Sequence, residues 1–187
     1  MADPREWIQF EGGKGSGTKR HIVLVSGDEE YRSEETMPML AKLLATHHGF
    51  DCTVLFAIDP GSGEIDPQCQ TNIPGLHHLV DADLMIISTR FRELPDDQMK
   101  HIVDYTNSGR PVMGLRTATH AFKYTRNPDS PYARYDCNSD VFEGGYGRQV
   151  LGETWISHHG HHGHESTRGV INPDCADHPV LQGVEDV

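Results

Sequence analysis

No apolar run in this 187-residue chain approaches the roughly 18 residues needed to cross a bilayer, and the first residues lack the apolar core of a secretory signal. Basic residues are scarce. Sixteen Lys and Arg stand against 28 Asp and Glu, for a formal net charge of -12. That balance argues against nucleic acid or a membrane as the main partner, and suits a neutral or cationic small ligand. Cysteine is sparse too: Cys52, Cys69, Cys137 and Cys175 form no C-x-x-C pair, so neither a redox motif nor a zinc knuckle is indicated. No G-x-G-x-x-G follows the first strand-like run, and G-G-Y-G at 144–147 lacks the Lys and Ser/Thr of a phosphate loop, which disfavours nucleotide binding. The expected compartment is cytoplasmic for a chain made as it stands, and periplasmic or exported if a signal was removed ahead of Met1.

What is present is a regular alternation. Residues 1–20 read as a flexible arm, because G-G-K-G-S-G at 12–17 favours coil. Residues 21–26, H-I-V-L-V-S, are a continuous β-branched and apolar run of the kind covered on both faces in a parallel sheet. A helix is expected over 34–48, capped by Ser33 and stopped by Gly49. Strands follow at 52–58, 82–89 and 111–115, with a helix opening after Pro95 and ending at N-S-G, 107–109. This pattern predicts an α/β fold over 21–187, flavodoxin-like, with a doubly wound, mainly parallel sheet in a three-layer sandwich. Counting from residue 21, the expected strand order is 2-1-3-4. After Phe122 the period fails. A long aperiodic loop at 123–147 is expected to be functional, with strands returning at 149–158 and 168–171 and a short helix or turn at 178–181. The pattern leaves room for a further strand after Val187.

The run P-V-M-G-L-R-T-A-T-H-A-F at 111–122 joins a strand to a helix start, the junction where ligands bind in open parallel sheets. The elbow that would carry a nucleophile holds Arg116, which stays protonated and offers only donors. Arg32, Arg90 and Arg116 each follow a different strand, so the fold would bring them to one edge. There they would form, with Tyr31 and Thr117, a pocket for hydroxyls, carboxylate or phosphate, or else pair with Asp28, Glu29, Glu30 or Glu93. His120, placed in the first turn of the next helix, is a candidate general acid or base. Five of the thirteen histidines crowd into H-H-G-H-H-G-H at 158–164. His158, His159, His161 and His162 could hold a divalent metal such as zinc, with His159 as a second candidate proton carrier; the alternative is a histidine-lined pocket without metal. Spacing alone nominates no carboxylate ligand, since no H-E-x-x-H is present.

These segments together resemble the trehalose-utilisation (ThuA-like) family, in the branch common in planctomycete-type bacteria. The resemblance rests on V-S-G-D-E-E-Y-R-S-E-E (25–35), F-A-I-D-P (56–60), T-R-F-R-E-L-P-D (89–96), G-L-R-T-A-T-H-A-F (114–122) and G-E-T-W-I-S-H-H-G-H-H-G (152–163). It implies a fold similar to that of class I glutamine amidotransferases and a role in disaccharide catabolism, as a hydrolase or other sugar-processing enzyme. Arg116 at the elbow removes glutaminase chemistry from consideration. A non-catalytic sugar-binding or scaffold module is the competing expectation, and a homo-oligomer is compatible with either.

Overall fold

The structure is a computed structural model and describes residues 6–157, 160–161 and 163–184. It divides into two compact units between Trp155 and Ile156. The first is an α/β unit built on a five-stranded sheet of order β1-β3-β2-β4-β5: β1 (Trp7–Phe10), β2 (His21–Gly27), β3 (Asp51–Leu55), β4 (Leu84–Thr89) and β5 (Val112–Gly114). β2 through β5 run parallel, and β1 is antiparallel to β3 with Trp7 opposite Leu55. From residue 21 onward the order is the expected one.

The continuous apolar character of β2 is explained by burial on both faces, since successive side chains point to opposite sides of a sheet. Ile22 and Leu24 pack with Met37 and Ala41 of helix α1 (Ser33–His48), whereas Val23 and Val25 pack with Met99 and Ile102 of helix α2 (Asp96–Asn107). Helices thus flank the sheet on both sides.

Several expectations need correction. The first residues are no free arm. Trp7–Phe10 forms a ladder with β3, and the glycine run straps the end of α1, with Gly17 N donating to His48 O at 2.7 Å and Gly12 N to the Asp51 carboxylate at 2.8 Å. The glycines are there for closeness: a Cβ on Gly15 would lie 2.3 Å from His48 O. Ser33 does not cap α1, since its hydroxyl turns to Ser26 Oγ and the Asp28 amide, each at 2.9 Å. In place of a strand at 149–158, Gly147–Leu151 makes one π-helical turn. The second unit has short 3-10 turns at Pro173–Cys175 and Pro179–Leu181, the latter as expected, and no strand among its described residues, so 168–171 is not one.

Candidate functional site

The carboxyl ends of β2, β4 and β5 present the loops 28–32, 90–92 and 116–120 along one edge, and Asp28 ties two of them together. This carboxylate is fully buried. One oxygen accepts the backbone N–H of Glu30 at 2.8 Å and of Tyr31 at 3.3 Å, and the other accepts the hydroxyl of Thr117. Tyr31 and Arg116, the neighbour of Thr117, are thereby fixed relative to each other. Arg116 donates from Nη2 to the Tyr31 hydroxyl at 2.9 Å, and its guanidinium carbon lies 4.4 Å from the centre of the Tyr31 ring.

Arg32, Phe91 and Arg116, each following a strand of this edge, take left-handed backbone conformations with φ of 53°, 50° and 49°. Such torsions cost a non-glycine residue on the order of 1–3 kcal/mol and persist where surrounding structure enforces them. At Phe91 the enforcement is visible: its amide donates to His120 O at 3.0 Å, and the next amide, Arg92, donates to Ala121 O at 2.7 Å.

The remaining arginines of the edge are neutralised. Arg90 pairs with Glu29 and places Nε 3.0 Å from a Glu30 oxygen, a close contact whose alignment is not that of a hydrogen bond. Arg92 is completely buried and pairs with the other oxygen of Glu29, while its remaining donors reach Pro67 O at 2.9 Å, Cys69 O at 2.7 Å and Arg90 O at 2.8 Å. Burial lowers the pKa of this guanidinium, and Glu29 and Asp28 oppose that shift. Arg32 points out, with 71% of its side chain exposed, and pairs with Glu35 on its own helix.

His120 is 6% exposed and ends the 3-10 turn Arg116–His120 instead of opening a helix, so the expected helix-dipole effect has no basis there. Its ring lies 5.0 Å from Phe91 and 4.7 Å from Trp155, whose own ring is 6.0 Å from Phe91. Thr119 Oγ1 sits 3.2 Å from His120 Nδ1. These three rings form an aromatic cluster around His120, which ends the turn that carries Arg116 and Thr117.

The histidine-rich run belongs to the second unit. His158, His159 and His162 lie outside the described residues. The His161 side chain is 86% exposed with Nδ1 3.6 Å from the Glu165 carboxylate, and no group of three metal-ligating side chains gathers among the described residues. Of the sequence candidates, then, Tyr31, Arg116, Thr117 and His120 share one turn and its partners, Arg90 is taken up by carboxylates, and Arg32 is turned away. Sequence reasoning gave Asp28 no role as an anchor, gave Phe91 and Arg92 none beyond the loop they form at this edge, and missed Trp155. The available signal for Asp28 was an acid placed directly after the strand end, in V-S-G-D. For the aromatics, which lie 64 residues apart (155 − 91), the sequence carried none.

No protein-family model matches this chain, and no curated protein or solved structure matches it.

Proposed function

We propose that this chain is a ThuA-like protein of carbohydrate catabolism, with the flavodoxin-like, doubly wound fold of class I glutamine amidotransferases, acting on a disaccharide or keto-sugar at the carboxyl edge of its sheet. The motifs in residues 25–35, 89–96 and 114–122 support the family, and the strand order from residue 21 onward is consistent with the fold. The observation that carries the site is the aromatic shelf of Phe91, His120 and Trp155, whose His120 shares a turn with the Arg116 that pairs with Tyr31. Sugars offer apolar C–H faces and a rim of hydroxyls, so a ring shelf bordered by fixed donors complements both. Within it Arg116 and Tyr31 orient oxygens, and His120 carries the proton in general acid–base fashion.

The second reading, a sugar-binding module without turnover, is favoured by the elbow: Arg116 replaces a nucleophile and Arg90 is already neutralised. One experiment separates these readings and tests both. Disaccharides and their keto derivatives are incubated with the wild type and His120→Ala, products are followed by mass spectrometry, and binding is followed through Trp155 fluorescence in a Trp7→Phe background. Product that disappears in His120→Ala supports the enzyme. Binding without product supports the module, and no response to any sugar overturns the proposal.

A further inference from the structure

The guanidinium groups along this edge differ in their electrostatic accounts. Arg32, Arg90 and Arg92 each face a carboxylate. Arg116 does not: among the described residues its partners are the Tyr31 ring and hydroxyl, and it forms no ion pair. A guanidinium has five N–H donors, and Tyr31 takes one. Because the Tyr31 oxygen accepts from Arg116, its own O–H is left to donate elsewhere. A positive charge in a strained backbone conformation, with a hydroxyl donor locked beside it, is organised to receive an anion.

Arg116 also lines a cavity of about 200 Å³ against the open side of β5. Val112, Val150 and Leu151 give it an apolar side, while Thr119 and Glu153 join Arg116 on the polar side. The occupant must therefore combine an anionic group for Arg116, hydroxyls for Thr119 and Glu153, and a C–H surface for the valines and leucine. The Arg116 guanidinium balances one negative charge. Glu153 on the same wall, in a chain of net charge -12, disfavours a dianion such as a phosphate monoester.

We infer that the cavity beside Arg116 takes the carboxylate of an acidic sugar, an aldonic or uronic acid unit, with the Arg116 guanidinium donating to it and Tyr31 holding that guanidinium in place. The inference rests on the carbohydrate reading above and narrows it from neutral sugars to sugar acids.

The test is calorimetric titration of the full chain with glucuronate against glucose, maltobionate against maltose, glucose 6-phosphate, and lactate as a carboxylate without a sugar framework. The acids should bind roughly tenfold or more tightly than their neutral counterparts, the range expected of charge-assisted hydrogen bonds. That advantage, read as the ratio of acid to neutral affinity, should vanish in Arg116→Gln, shrink in Tyr31→Phe and survive in part in Arg116→Lys, whatever each substitution takes from the binding of both sugars alike. Circular dichroism confirms that each variant is folded. Equal affinity for acid and neutral sugar overturns the inference and leaves the carbohydrate reading standing. Tighter binding of glucose 6-phosphate than of glucuronate overturns it in favour of a phosphate site, and binding of lactate but of no sugar overturns the carbohydrate reading itself. Silence toward every probe overturns both.

Discussion

Asp28 and Thr117 stand 89 residues apart in the chain and meet through a buried hydrogen bond from the Thr117 hydroxyl to the Asp28 carboxylate. The bond joins the loop after β2 to the turn after the edge strand β5, with β4 between them. It therefore fixes where Arg116 lies relative to Tyr31. Thr117→Val keeps the shape and removes the donor, leaving a buried carboxylate oxygen short of one partner. The expected loss is about 1–3 kcal/mol in urea denaturation. Because the anchor and the site are one structure, the variant should also weaken ligand binding. A variant that loses stability but keeps full affinity would show that Asp28 serves the fold alone.

Arg92 and Arg90 share the carboxylate of Glu29 but differ in exposure, at 0% and 25% of the side chain. Replacing Arg92 by Met strips four hydrogen bonds and leaves three carbonyls and a carboxylate oxygen without their donor. Breaking a buried pair from one side costs about 3–5 kcal/mol. Arg90→Met should cost less, about 1–3 kcal/mol, because its pair is partly exposed and Glu29 keeps Arg92 as a partner. Denaturation midpoints measured side by side check the ordering, and a reversed order would contradict the burial of Arg92.

How much could be read beforehand divides along a physical line. The strands at 21–26 and 82–89 and the helix after Pro95 were legible because burial on two faces leaves a continuous apolar run, and burial on one face a periodic stripe. The strand order from residue 21 onward came with the alternation. What was not legible depends on contacts between distant segments. The glycine run at 12–17 has the composition of a linker, and only the approach of the α1 terminus shows why side chains are excluded. Ser33 sits where a helix cap belongs, but a stronger claim on its hydroxyl comes from Ser26 and Asp28. Composition also could not tell that Arg90 would find Glu29 while Arg116 would find, among the described residues, Tyr31.

The strap gives a prediction with an opposite sign for a linker. In a flexible linker, Gly→Ala is neutral or slightly stabilising through the unfolded chain. Here a Cβ on Gly15 would meet His48 O at 2.3 Å and one on Gly12 would meet Gly49 O at 2.2 Å. Gly15→Ala should therefore destabilise by about 1–3 kcal/mol, by analogy with overpacking, and speed hydrogen exchange at the C-terminal turn of α1. Unchanged exchange there would mean the strap does not hold the helix end.

His78 supplies a pH dependence. Its Nε2 is buried without a hydrogen-bond partner, and its ring lies 4.8 Å from Trp7 and 4.5 Å from His77. Burial lowers its pKa below the ordinary 6.5, and the neighbouring His77 and His21 add to that, against a weaker opposite pull from Asp81. The fold favours the neutral ring, whereas the unfolded chain takes up a proton near 6.5. Stability from this site is thus intact above about 6.5 and falls as the pH drops below it. His78→Phe keeps the ring against Trp7 and cannot protonate, so its stability should decline less than the wild type's between about pH 7 and 5. Parallel curves would rule out His78 as the titrating group.

Arg116 offers a way to separate backbone strain from side-chain function. Its φ of 49° disfavours every residue with a Cβ, and the cost is tolerated because the side chain is held on Tyr31. Arg116→Ala and Arg116→Gly both remove the guanidinium and its stacking, so they lose the same contacts. They differ in the backbone. Glycine adopts a left-handed conformation without a steric term, and alanine does not. The Gly variant should therefore be the more stable of the two by about 1 kcal/mol, somewhat less once the extra entropy of an unfolded glycine is counted. Neither variant should favour an acidic sugar over its neutral counterpart. If alanine proves as stable as glycine, the turn relaxes out of its left-handed conformation once the guanidinium is gone, and the strain belongs to the Arg116–Tyr31 contact and not to the packing of the loop.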